Sequence, residues 1–135
     1  MNALAKLKQE LMELEAMESL NTVVQRGSIA MIDLPIVGGS VQTGLRPCVI
    51  VSNNKANKFS PNIIAIPLTS RTKKPMPTHH KILPSITNGL KVESTALAEQ
   101  ILTVSKDCIK KVIGILDEQH LEKINEILKQ SIGLF

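Results

Sequence analysis

The sequence predicts a mainly β domain with helices: a small, strongly bent antiparallel barrel, closed by a C-terminal helix and preceded by an amphipathic one. Three observations predict it. Short apolar, β-branched runs recur through residues 26–116, separated by proline-broken loops. The last stretch changes to a helical period, with Leu121, Ile124, Ile127, Leu128 and Ile132 on one stripe. At 135 residues the chain is large enough to bury a core without disulfide or metal staples.

In chain order, Leu4, Leu7, Leu11, Leu14, Met17 and Leu20 are spaced 3, 4, 3, 3 and 3 residues apart, the stripe of an amphipathic helix. So short a helix is unstable alone, so the stripe is expected to be buried on the domain body or on a second copy. Its acidic face excludes a nucleic-acid role. We divide the chain into this extension, residues 1–22, and a barrel domain, residues 23–135. Asn21 to Gln25 turns the chain, and residues 26–34 read as a strand ended by Pro35. Gly38, Gly39 and Gly44 then mark a loop whose backbone takes φ > 0. Pro47 cannot donate to a ladder, so it is expected to open the next strand, with Arg46 the last loop residue. Residues 48–51 form a short apolar run that reads as a strand buried on both faces.

Residues 53–62 read as a polar connection and 63–68 as a strand, with Pro67 placing it at a sheet edge or strand end. Thr69 and Ser70 follow it, then a basic, proline-rich loop over residues 71–77. A strand over 78–83 and a turn over 84–89 lead to two strands, 90–94 and 98–104. Residues 105–116 read as one helical turn and then a strand. Asp117 is an N-cap candidate for the final helix, with Glu118 in its first turn.

Composition narrows the function. Phe59 and Phe135 are the only aromatic residues, which argues against base-stacking platforms for single strands. Cys48 and Cys108 stand apart in apolar surroundings and read as reduced core thiols of a cytoplasmic protein. Neither a signal peptide nor a membrane-length apolar run is visible. Charge is uneven: between Leu34 and Val92 lie Arg46, Arg71 and six lysines, and no Asp or Glu. A field of one sign attracts polyanions such as RNA, DNA or an acidic protein. Solubilising loop lysines are the plainer alternative.

Most catalytic sets are missing. His79, His80 and His120 have no carboxylate at ligand spacing, so no metal ligand set is expected. There is no nucleophile elbow. Gly38-Gly39-Ser40 precedes a strand and lacks a phosphate-loop lysine. Cys48 sits in a strand core, where a thiol is inert. What remains is Arg46, a possible partner in Thr69, and a basic surface. An ordinary solvated arginine and a strand-end hydroxyl are the alternatives for those two. The set suffices for RNA cleavage, because the 2′-OH is the substrate's own nucleophile. The protein then has to align that hydroxyl, stabilise a phosphorane-like state and protonate the leaving 5′ oxygen. Arginine holds its proton through the neutral range, so Arg46 is assigned electrostatics first.

Several ordered motifs resemble the MazF/PemK family of toxins, the mRNA interferases of toxin–antitoxin pairs. The likeness starts at Arg26-Gly27-Ser28-Ile29 and runs to about Leu134. It includes the Gly-Ser-x-Gln-x-Gly-x-Arg-Pro loop from Gly39 to Pro47, and Val49-Ile50-Val51-Ser52-Asn53-Asn54. Asn57-Lys58-Phe59-Ser60-Pro61, Pro67-Leu68-Thr69-Ser70, Pro77-Thr78-His79 and Glu99-Gln100-Ile101 follow. The resemblance implies an SH3-like barrel of the MazF/CcdB type, a homodimer, and no cofactor. It implies metal-independent, sequence-selective cleavage of single-stranded RNA, leaving a 2′,3′-cyclic phosphate and a 5′-OH. A cognate antitoxin with an acidic segment is expected as partner, and DNA binding through the antitoxin complex. The family's catalytic arginine and threonine fall on Arg46 and Thr69. Candidate RNA contacts are Gln42, Gly44, Asn53, Ser70, Arg71, Lys73, Lys74, His79 and Gln100. For His79, an ordinary strand position beside a proline is the alternative.

The chain departs from the family pattern at Val41, where many members have glutamate, and at Leu102, where many have arginine. Those two positions motivate a second reading, a non-catalytic barrel that binds an acidic peptide or a protein target in the manner of gyrase poisons.

Overall fold

A computed structural model describes residues 2–22 and 24–135, with side-chain surroundings for residues 2–12 and 24–135. The described elements are α1 (Ala3–Thr22), β1 (Ser28–Leu34), β2 (Gly44–Ile50), α2 (Asn54–Phe59), β3 (Asn62–Thr69), β4 (His79–Ile82), β5 (Ser94–Leu97), β6 (Leu102–Ser105), β7 (Ile109–Ile115) and α3 (Glu118–Ile132). Two 3₁₀ turns, Ala98–Gln100 and Lys106–Cys108, flank β6. The strands form one antiparallel sheet in the order β4-β5-β3-β2-β1-β7, with β6 also on β3. The mainly β architecture with terminal helices is as expected.

β3 organises the sheet. One of its sides carries β2, through Cys48↔Pro67, Val49↔Ile66 and Ile50↔Ala65. The other side is shared: β6 takes residues 62–65, and β5 takes Leu68 and Thr69. Strand alternation sorts the apolar residues onto two faces. Ile29, Val49, Ile66, Leu68 and Ile82 pack with Ile124 and Ile127 of α3. Ala30, Ile32, Cys48, Ile50, Ile63 and Val104 form the second cluster on the opposite face. Burial on both faces explains the continuous apolar run at 48–51.

The final helix begins as the cap predicts: the Asp117 carboxylate accepts the His120 N–H at 2.8 Å. Its stripe is shorter than expected, because Ile132 stays 59% exposed beyond the sheet.

Other expectations need correction. β1 starts at Ser28 rather than residue 26. Pro47 does not open its strand: β2 begins at Gly44 and Arg46 lies inside it. The proline is tolerated because β3 does not pair until Cys48. Pro67 likewise sits in the most heavily paired strand rather than at an edge, in the gap between the β6 and β5 partners. The polar connection contains α2, capped by the Asn53 side chain on the Ala56 N–H at 2.8 Å. The strands expected at 90–94 and 98–104 are instead β5, a 3₁₀ turn and β6. On α1, Leu4, Leu7 and Leu11 are 60–62% exposed rather than buried on the body. The side chains of Leu14, Met17 and Leu20 lie outside the described residues, as does part of the expected turn at 21–25.

Candidate active site in the basic cleft

Arg46 projects from β2 beside the end of β3. Its Nε donates to the Thr43 carbonyl at 3.0 Å, and Nη1 reaches the Leu68 carbonyl at 3.5 Å. These contacts tie the guanidinium to the loop that enters β2 and to β3, and leave the rest of its fork for a ligand. Thr69, the last residue of β3, is only 3% exposed yet helps to line the same cleft of about 280 Å³. Its Oγ1 accepts the Arg71 N–H at 3.3 Å, which leaves the hydroxyl proton free to donate. Ser70, Arg71, Val92 and Ser94 also line the cleft.

Cys48 follows two residues after Arg46. Burial pushes its thiol up to about 12, against the opposing pull of the Arg46 guanidinium, so it stays protonated. That removes thiolate chemistry from this face of β2.

The sequence-derived candidates divide into groups. Arg46, Thr69, Ser70 and Arg71 come together in the cleft. Ser70, Arg71 and Lys73 also line an adjoining cavity, while Lys74 is exposed on the same loop and lines neither. Gln42 and Gln100 meet each other: the Gln100 Oε1 accepts the Gln42 N–H at 2.7 Å, and its Nε2 donates to the Ser40 carbonyl at 3.4 Å. Gln100 thus staples the glycine-rich loop across from the 3₁₀ turn. Gly44 starts β2 with φ +77°, a backbone that a side chain would strain. Asn53 is occupied as the α2 cap.

His79 is not among the residues lining the cleft. Its side chain is 8% exposed, and Nε2 lies 2.7 Å from Glu99 Oε1. Burial raises the Glu99 carboxyl, but the His79 hydrogen bond and a backbone N–H outweigh it and hold the group below its usual range. The pair joins β4 to the 3₁₀ turn that carries Gln100. Leu102 packs partly buried against the second apolar cluster, so it is a core position rather than part of the cleft.

Sequence reasoning missed Val92 and Ser94, which reach the cleft only through the Leu68↔Ala96 and Thr69↔Thr95 pairing. No local signal marks them. Glu99 was quoted within a motif, but its pairing with His79 across 20 positions is invisible in one dimension. Among the described residues, no three His, Cys, Asp or Glu side chains cluster as a metal ligand set. No helix among them is long and apolar enough to cross a membrane.

Comparison with known proteins finds relatives over most of the chain. Endoribonuclease MazF of Staphylococcus saprophyticus is 36% identical over 113 residues, covering 83% of this chain and 93% of that protein. Endoribonuclease EndoA of Bacillus subtilis is 35% identical over 113 residues, covering 83% and 97%. Among solved structures, an endoribonuclease in complex with its cognate antitoxin, from a mycobacterial species, superposes with a TM-score of 0.68. It is 30% identical, over 82% of this chain and 96% of that one. MazF of Deinococcus radiodurans, at 22% identity, shares the fold with a TM-score of 0.69 over 81% of this chain and 96% of that one. The family model of PemK-like, MazF-like toxins of type II toxin–antitoxin systems matches residues 25–132, the whole sheet and α3, and the chain belongs to that family.

Proposed function

We propose that this toxin is an endoribonuclease that cleaves single-stranded RNA at selected sequences, without a metal, in the cleft between Arg46 and Thr69. The observation that carries the reading is the convergence of a strand-held guanidinium and a free hydroxyl proton on one basic cleft. The 2′-OH attacks the adjacent phosphorus as the P–O5′ bond breaks, giving a 2′,3′-cyclic phosphate and a 5′-OH; the 2′-OH proton passes to water, and water returns one to the 5′ oxygen. Arg46 stabilises the charge that builds on the non-bridging oxygens. Thr69 donates a hydrogen bond to the same oxygens, its own lone pair already engaged by the Arg71 N–H. Ser70, Arg71, Lys73 and Lys74 hold the flanking backbone, while Gln100 shapes the loop that carries Gln42 and Gly44.

A homodimer, a cytoplasmic location and an antitoxin with an acidic segment along the basic cleft complete the proposal, as does a barrel domain of residues 23–135 separable from the extension at 1–22. Incubation with a long single-stranded RNA in EDTA tests it. Discrete fragments with 5′-OH and cyclic phosphate ends are expected. Intact RNA, or fragments bearing 5′-phosphates, rules the mechanism out.

A further inference from the structure

Beside the Arg46 cleft lies a second cavity, of about 180 Å³, whose Lys81 and Glu93 have no part in the reaction above. Ser70 and Arg71 line both, so the two adjoin. Arg71, Lys73 and Lys81 border the second cavity, together with Thr72 and Thr95. One acid faces them: Glu93 Oε1 lies 3.1 Å from Lys81 Nζ, and both side chains are well exposed. Three cations against one carboxylate leave the wall net positive. The pair bridges two elements, because Lys81 stands opposite Thr95 in the β4–β5 ladder and Glu93 immediately precedes β5. An exposed ion pair of this kind adds little to stability. The Lys81 ammonium also keeps N–H donors that one carboxylate oxygen does not use.

We propose that this cavity is a second anion subsite, which takes a phosphate of the RNA flanking the scissile one. Lys81 is its ligand, and Glu93 competes with the phosphate for Lys81. The inference rests on the ribonuclease reading and deepens it, assigning the direction in which the bound strand leaves the cleft. RNA is favoured over an acidic peptide because the cavity adjoins the cleft at Ser70 and Arg71 and offers phosphate oxygens both cations and hydroxyl donors.

The test is steady-state cleavage of a short RNA with one cleavage site, at several salt concentrations, by wild type, Lys81→Ala and Glu93→Gln. Lys81→Ala raises KM about fivefold, more than it lowers kcat. It also reduces the slope of log KM against log salt by about 0.7, the loss of one single-strand phosphate contact. Glu93→Gln acts in the opposite direction and lowers KM, since it frees Lys81 and removes a repelling charge. Opposite signs distinguish a binding site from a strand-to-strand tie, in which both substitutions weaken the protein alike. Substrates with single methylphosphonate linkages then locate the contact: neutralising one flanking phosphate abolishes the Lys81→Ala effect. Changes of the same sign, or a Lys81→Ala penalty that persists on every neutralised substrate, overturn the subsite. A defect confined to capture of an acidic peptide, with cleavage kinetics unchanged, also overturns it and assigns the cavity to a peptide partner. If wild type cleaves and both variants match it, only the subsite fails; if wild type cleaves no RNA, the subsite and the ribonuclease reading fall together.

Discussion

Replacing Arg46 by alanine separates its structural from its chemical contribution. Of roughly five guanidinium N–H donors, Nε makes one well-formed bond at 3.0 Å and Nη1 one marginal contact at 3.5 Å. The first contributes about 1 kcal/mol to folding, and the second, at the limit of hydrogen-bond geometry, very little. Arg46→Ala is therefore expected to destabilise the fold by about 1 kcal/mol. The remaining donors face the cleft, where charge builds on phosphate oxygens. Removing a preorganised donor of that kind costs about 10²–10³ in rate, or about 3–4 kcal/mol. The catalytic loss should thus exceed the stability loss about threefold in free energy. Arg46→Lys keeps the charge without the planar fork, and is expected to recover only about a tenth of the wild-type rate. Single-turnover cleavage of a long RNA gives the rates, and urea unfolding gives the stabilities. Cleavage by Arg46→Ala within about threefold of wild type, or a rate loss matching the fraction unfolded, refutes the assignment.

Four further outcomes are expected. A Cβ added at Gly114 lies 2.4 Å from the Thr87 carbonyl oxygen and the Asn88 backbone, so Gly114→Ala lowers the urea midpoint by about 3 kcal/mol of stability; an unchanged midpoint contradicts the packing. Burial lowers the His80 pKa, His120 and Lys123 lower it further, and Glu126 opposes them. The folded state then binds fewer protons than the unfolded chain, so stability present above about pH 6.5 is lost as pH falls below it. His80→Asn should flatten Tm across that window, and an unaltered slope excludes the histidine. Gln100→Ala should speed amide exchange at Gln42 about fivefold while Gln100→Glu preserves protection; equal protection in both variants removes the staple. Because Leu4, Leu7 and Leu11 are exposed, deletion of residues 1–12 should shift Tm by less than about 2 °C and leave RNA cleavage intact, with mass in solution reporting any role in assembly.

Much of the fold was legible because its signals are local. Asp117 and the Leu121–Ile124–Ile127 spacing specify α3 without reference to anything else in the chain. The β-branched runs at 48–51 and 63–68 announce buried strands for the same reason. The failures are non-local or short. α2 is a six-residue helix with no apolar period, and only Asn53 as a cap could have signalled it. Leu4, Leu7 and Leu11 have a helical spacing that says a stripe exists but not whether anything covers it. At the site, Arg46 and Thr69 were paired by elimination of other catalytic sets and then by family likeness, not by any rule of spacing. Their proximity depends on the β2–β3 register, which the sequence does not display. Lys81 and Glu93 escaped notice because an ion pair across 12 positions is one among many the chain could make.

The register also explains why the cleft forms where it does. Val51 donates to the Ile64 carbonyl, so the bonded pairs of this antiparallel ladder recur every second residue, at Val49↔Ile66 and then at Pro47 with Leu68. Pro47 has no N–H for that bond, and the ladder stops at Cys48↔Pro67. The Leu68 carbonyl accepts the Arg46 guanidinium instead. One missing hydrogen therefore does two things: it ends the β2–β3 pairing, which opens space beside Thr69, and it leaves the Leu68 carbonyl facing the arginine, which the Thr43 carbonyl anchors at the mouth of that space. The Arg-Pro dipeptide is in this sense a single device. Its proline interrupts the sheet and its arginine occupies the interruption, so the charged group sits on rigid backbone rather than on the loop that precedes it.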